Sequence, residues 1–148
     1  MASDERSADG DGGPGRVLAL DFGSARCGCA VSDPGGTLAT PIDLVPRPGT
    51  RRGLSALADL VARWEVGRVV VGLPRSLSGE DSEQTREARD FAHRLAERLG
   101  PRVPIELYDE RFTTRLAGRD PDPRAAEDSR AAAHLLQDWL TARDRRDS

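Results

Sequence analysis

The sequence predicts an α/β protein with a five-stranded mixed sheet, its first three strands antiparallel, flanked by helices. Three observations carry this. Two strand-like runs, "VLALDF" and "RCGCAVS", are separated by only three residues, which leaves room for nothing but a hairpin. A third extended run follows the turn sequence "DPGG". After it, segments of helical period alternate with short buried strands, the pattern of parallel crossover units.

Each element has its own signal. Val17 to Phe22 is the first strand, Gly23-Ser24-Ala25 the turn, and Arg26 to Ser32 the second strand. Thr37 to Val45 reads as the third, and Pro41 puts it near a sheet edge, because proline cannot donate to a central ladder. "PRPGTRRG" reads as a loop. Leu54, Leu57, Ala58, Val61 and Ala62 then recur at helical spacing, predicting a helix from Leu54 to Trp64. "RVVVGLP" is β-branched and stops at Gly72 and Pro74, a buried strand. "SLSGEDSEQ" is a polar loop. Glu83 to Leu99 is a helix that turns Ala88, Phe91, Ala92, Leu95 and Leu99 to one side. Val103 to Tyr108 is the fifth strand. Thr113 or Thr114 can cap a short helix, which "GRDPDP" breaks. Ala125 to Ala142 is the last helix, with Ala132, Leu135, Leu136, Trp139 and Leu140 as its buried side.

These elements make one domain over residues 16–142, between an acidic tail at 1–15 and a fraying end at 143–148. With 148 residues the chain can bury a real core. Nothing in it approaches the roughly 20 apolar residues that span a bilayer, and the N-terminus has no apolar run of the kind a signal peptide needs. The expected compartment is therefore the cytoplasm. Cys27 and Cys29 fit it: two thiols at i and i+2 share one face of a strand, and they read as reduced packing residues. The net charge of −3 argues against broad capture of nucleic acid, yet acidic residues are dense in the tail, at Asp4, Glu5, Asp9 and Asp11. All 22 basic residues are arginines, whose planar forks suit phosphates.

In open α/β sheets ligands sit beyond the strand ends, so residues that leave the strands are the informative ones. Three carboxylates stand there. Asp21 ends the first strand, Glu110 follows the fifth, and Asp128 lies near the start of the last helix. Brought together, such groups repel unless a cation holds them. Hard divalent ions, Mg²⁺ or Mn²⁺, take oxygen ligands of this kind, and two such ions can serve phosphodiester hydrolysis. A strand-end aspartate also forms turns, and Asp128 also suits a helix start, so spacing leaves both readings open.

Four blocks add a resemblance. "LALDFGSARCGCAVSD", "VVVGLPRSLSG", "YDERFTT" and "DSRAAAHLLQDWL" resemble, in order, the signature blocks of the YqgF family of pre-16S rRNA nucleases, also described as Holliday junction resolvases and related to RuvC. The resemblance implies an RNase H-like fold and a cytoplasmic, metal-dependent nuclease. Its expected partners are pre-16S rRNA or another structured nucleic acid, and a ribosome precursor. It implies that Asp21, Glu110 and Asp128 are the catalytic acids and the metal ligands.

Around these acids, Arg26, Arg75, Arg111 and Arg115 are the arginines placed to contact nucleic acid. Gly23 would allow close backbone approach. Thr113 and Thr114 read as caps, and His93 and His134 as plain helix residues. One departure from the family pattern is visible. "GRDPDPRAAE", between Ala117 and Asp128, is about two helical turns short and its charges nearly cancel, which predicts fewer phosphate contacts. Two other readings stand beside the nuclease. One is a non-catalytic RNA-binding or ribosome-assembly factor on the same fold. The other is a phosphotransferase related to actin or sugar kinases, which would need a second phosphate hairpin and a longer chain.

Overall fold

A computed structural model describes residues 15–73, 83–109 and 124–147, with the side chains of the last segment described from Ser129 to Asp144. Five strands form one sheet: β1 (Arg16–Phe22), β2 (Arg26–Ser32), β3 (Ala39–Pro46), β4 (Val66–Leu73) and β5 (Ile105–Asp109). Three helices are described: α1 (Arg51–Arg63), α2 (Glu83–Leu99) and α3 (Arg124–Asp147). The strand order is β3-β2-β1-β4-β5. β1 pairs antiparallel with β2, and β2 with β3, while β1, β4 and β5 run parallel. The mixed sheet and the edge position of Pro41 follow the sequence.

β1 is central and covered on both faces, which is why Val17 to Leu20 are all fully buried. Its alternation sorts the core. Leu18 and Leu20 meet Cys27, Cys29, Val69, Val71 and the apolar stripes of α1 and α2 on one face. Val17 and Ala19 meet Ala30, Val70 and the Leu135, Leu136, Trp139 and Leu140 side of α3 on the other. Both cysteines are free thiols and buried, as their spacing predicts.

Two helix boundaries differ from the sequence pattern by more than one residue. α1 starts at Arg51 instead of Leu54, because Thr50 caps it: the Thr50 hydroxyl accepts the Gly53 N–H at 3.0 Å. Gly53, unusual inside a helix, is required there, since a Cβ would run into the Arg47 carbonyl. α3 continues to Asp147 rather than ending at Ala142. Arg143 explains part of this: its guanidinium lies 5.5 Å from the Trp139 ring centre and packs under Gly36 of the β2–β3 turn. β3 starts at Ala39, not Thr37, because Thr37 and Leu38 belong to the turn that Asp33 organises. β5 begins at Ile105 rather than Val103, and β4 already at Val66. The short helix expected after Thr113 or Thr114 lies outside the described residues, as does most of the acidic tail. Among the described residues no helix is long and apolar enough to cross a membrane.

Candidate active site at the carboxyl edge of the sheet

Asp21 is a strand residue, not a turn residue. It sits in the ladder opposite Gly28, and Phe22 opposite Cys27 continues the pairing before the chain turns. The β1 alternation puts Asp21 on the α3 face, the next position after Val17 and Ala19. It is half-buried there. Both of its strand neighbours on that face lack side chains. Gly28 is its partner in β2, and Gly72 of β4 follows Val71, the partner of Leu20. Glycine within a strand marks a place where another group approaches closely. The carboxylate therefore stands in a gap in the carpet of side chains at the carboxyl end of β1, β4 and β5.

The hairpin beyond Asp21 is firmly held. A Cβ on Gly23 would stand 2.9 Å from the Arg26 carbonyl, so the turn itself demands glycine before any ligand is considered. The Ala25 carbonyl accepts the Arg47 N–H at 2.9 Å, tying the turn to the β3–α1 loop. Arg26, first in β2 and exposed, falls by alternation on the same face as Asp21.

A second expected site residue, Asp128, belongs to the start of α3, which is anchored on β3. The Ser129 hydroxyl donates to the Ile42 carbonyl at 2.9 Å. Ile42 pairs with Cys29, and Cys29 with Leu20, so this turn of α3 crosses the sheet one residue short of the level of Asp21. Asp128 is the helical residue just before Ser129; its side chain is outside the described residues. Glu110, Arg75, Arg111 and Arg115 also lie outside them. β5 can be followed to Asp109, paired with Leu73, and two inter-strand steps put it roughly 10 Å from β1. Among the described residues no group of three or more potential metal ligands comes together. His93 is paired with Glu97 at 3.3 Å on the exposed side of α2.

Sequence reasoning missed the groups that set α3 against β5. Tyr108 donates its hydroxyl to Asp138 Oδ2 at 2.8 Å, and the Trp139 indole N–H donates to Glu106 Oε2 at 3.1 Å. Arg68 closes on the other Glu106 oxygen at 3.5 Å. Glu106 and Tyr108 are i and i+2 on β5, so both face α3; that alternation was the available signal. The clamps couple the strand that leads to Glu110 with the helix that carries Asp128.

The chain is similar to several known proteins. A family model described as "RuvX: Holliday junction resolvase" matches residues 15–142. A Mycobacterium leprae protein named "Putative pre-16S rRNA nuclease" is 46% identical over 134 residues, 85% of this chain and 72% of the relative. A Mycobacterium sp. (strain KMS) protein of the same name is 43% identical over 148 residues, 94% of this chain and 87% of the relative. Among solved structures, Thermus thermophilus RuvC in complex with a Holliday junction substrate superposes with a TM-score of 0.58 at 18% identity, covering 87% of this chain and 95% of that one. Fowlpox virus resolvase with Holliday junction DNA gives a TM-score of 0.50 at 8% identity, covering 86% and 97%. These likenesses define an RNase H-like fold. The chain belongs to the RuvX (YqgF) family, a family of nucleases, which are hydrolases of phosphodiester bonds.

Proposed function

We propose that the protein is a divalent-metal-dependent endonuclease for structured nucleic acid, acting in the cytoplasm on the 5′ end of pre-16S rRNA during ribosome assembly. One observation carries the reading. Asp21 is held at the end of the central strand, on the α3 face, between two glycines and close to the level where the Asp128 turn of α3 crosses the sheet. The relatives' name supplies the substrate.

The donor set suits Mg²⁺ or Mn²⁺, since Asp21, Glu110 and Asp128 all offer hard carboxylate oxygens. Such a cation, when bound, activates the attacking water and stabilises the leaving oxygen. The chain's own contribution is positioning. Asp21 comes from a strand buried on both faces, so its carboxylate arrives pre-oriented. Glu110 is the next residue after Asp109 in the β5 sequence, and the Tyr108–Asp138 and Trp139–Glu106 clamps fix β5 against α3. The bare faces of Gly28 and Gly72 admit the phosphodiester backbone. Arg26 lies on that face to meet a phosphate oxygen, and Arg75, Arg111 and Arg115 extend the contact from the motif loops.

A second reading, cleavage of four-way DNA junctions, is favoured by the description of the family model itself. One assay decides between them: purified protein with Mg²⁺ or Mn²⁺, labelled precursor rRNA and a labelled four-way junction, with the Asp21→Asn variant alongside. The proposal expects metal-dependent rRNA cleavage that disappears in Asp21→Asn while circular dichroism is unchanged. Junction cleavage alone would transfer the function to DNA. Binding without cleavage would make the protein an assembly factor, and full activity in Asp21→Asn would remove the metal site.

A further inference from the structure

The residue after Asp21 opens a second surface. Phe22 faces the α1–α2 side, where its ring stacks on Phe91 with centroids 4.5 Å apart. Beside the two rings lies a cavity of about 380 Å³, within the range of small-ligand sites, with Arg47 and Arg94 on its walls next to Glu87 and Asp90. A wider depression of about 630 Å³ lies along the same two helices, lined by Arg51, Arg52 and Arg98 with Asp59. The two are linked along both walls: Arg94 and Arg98 are one turn apart on α2, and Arg51 follows Thr50 of the first cavity.

The charge of this cleft runs against that of the chain. Five arginines face three carboxylates, Asp59, Glu87 and Asp90, in a protein of net charge −3. Arg94 is shared with Asp90 at 3.7 Å. Among the described residues no ion pair holds Arg51, Arg52 or Arg98. An aromatic floor beside exposed guanidinium groups is the combination that binds single-stranded nucleic acid: bases stack on the ring and the backbone follows the positive groove. Glu87 and Asp90 can accept hydrogen bonds from an exocyclic amine, while Arg47 and Arg94 can donate to a ring carbonyl.

We propose that the α1–α2 cleft holds the single-stranded flank of the nucleic acid whose scissile phosphodiester lies at Asp21. One base seats in the cavity against Phe22, and the following phosphates track along Arg51, Arg52 and Arg98. The proposal rests on the nuclease reading for the position of the scissile bond, though flank binding itself needs no catalysis. Asp21 and Phe22 are consecutive on opposite faces of β1, so the strand passes over the carboxyl edge of the sheet between them. That continuity favours nucleic acid over an acidic protein segment, which would have no use for the aromatic floor.

The test is fluorescence anisotropy in EDTA across a salt series, with a short single-stranded RNA and a blunt duplex as probes. The triple variant Arg51→Ala/Arg52→Ala/Arg98→Ala is compared with wild type and with Arg63→Ala, at the far end of α1. Losing three phosphate contacts should weaken single-strand binding at least about tenfold and lower the salt slope by about two, since each contact on a single strand contributes roughly 0.7. Arg63→Ala should bind as wild type. An equal slope in the triple variant, or an equal loss in Arg63→Ala, overturns the cleft. For the base cavity, wild type is probed with RNAs carrying one abasic nucleotide at successive positions. One position should lose affinity several-fold, and uniform affinity at every position overturns the cavity. Cleavage measured in parallel separates the two readings. Wild type that binds through the cleft without cleaving removes only the nuclease. Unchanged binding in a triple variant that still cleaves removes only the cleft.

Discussion

Asp21 and Asp33 invite comparison, because each stands at or just beyond the end of a strand, shortly before a glycine-containing turn, and the sequence treats them alike. The structure gives them opposite roles. Asp33 follows β2 and its carboxylate is taken up by its own turn: it accepts the Thr37 and Leu38 N–H groups at 2.8 and 2.9 Å and the Thr37 hydroxyl at 3.1 Å. Those bonds hold its pKa down to about 2 from 3.8, the Leu38 N–H contributing most and the Thr37 N–H next. Asp21 is part of the ladder itself, two positions before its turn, and faces α3 between glycines. An aspartate at a strand end is a turn-former when the following N–H groups fold back onto it. It becomes a candidate ligand when the strand continues past it and its neighbours clear the space.

The largest expected effect tests that contrast directly. Asp21→Asn should remove several kcal/mol of transition-state stabilisation, a rate loss of more than about 100-fold, with little change in urea stability. Asp33→Asn should leave the rate alone. The two turn glycines give the next comparison. Gly23→Ala forces a Cβ to within 2.9 Å of the Arg26 carbonyl, a backbone atom that cannot step aside, so the hairpin bearing Asp21 must shift. A misplacement near 1 Å can cost about 100-fold in rate. Gly36→Ala, at φ +75° and against the Arg143 guanidinium, should cost about 1–2 kcal/mol of stability with no effect on rate. Equal rates in Gly23→Ala and Gly36→Ala would mean that hairpin geometry does not position the site. Smaller again is Tyr108→Phe. It removes the hydroxyl bound to Asp138 and should destabilise by about 1–2 kcal/mol, with a larger fractional loss in rate than Gly36→Ala because it loosens β5 against α3.

Much of the fold was legible because it rests on short-range patterns. The hairpin β1–β2, the helix from Glu83 to Leu99 and the buried β-branched strand β4 each declare themselves within a few residues. The rest depends on partners distant in sequence. Arg51, Arg52 and Gly53 show no apolar period, so the first turn of α1 reads as loop; the Thr50 cap and the space that Gly53 fills against the Arg47 carbonyl decide it. The charged end of α3 reads as fraying, yet Arg143 has Trp139 beneath it and Gly36 above it. For the candidate site, the motif spacing picked out Asp21 and Arg26, which the structure puts on one face. The clamps Tyr108–Asp138 and Trp139–Glu106 join residues 30 and 33 apart in the chain, and no local pattern announces them. The α1–α2 cleft was hidden for the same reason: Phe22, Arg47 and the Arg94–Arg98 pair come from three separate stretches.

The smallest effect concerns Asp33 and pH. Its folded pKa, about 2, lies below the ordinary value of 3.8, so the unfolded chain binds the proton more readily. The stability it contributes is therefore fully present above pH ~4 and is lost as pH falls through about 2. Its hydrogen bonds to Thr37 and Leu38 lie in an exposed turn, where solvent screens the charge and keeps the effect small. Asparagine can still accept the two backbone N–H groups, so Asp33→Asn isolates the charge. Urea unfolding of wild type and Asp33→Asn should show a small gap at pH 6 that narrows steadily between pH 4 and pH 2.5. A gap that stays constant over that range would assign the turn to hydrogen-bond geometry alone. A gap that widens on acidification would reverse the sign of the linkage and place the protonated carboxyl, not the carboxylate, at the centre of the turn.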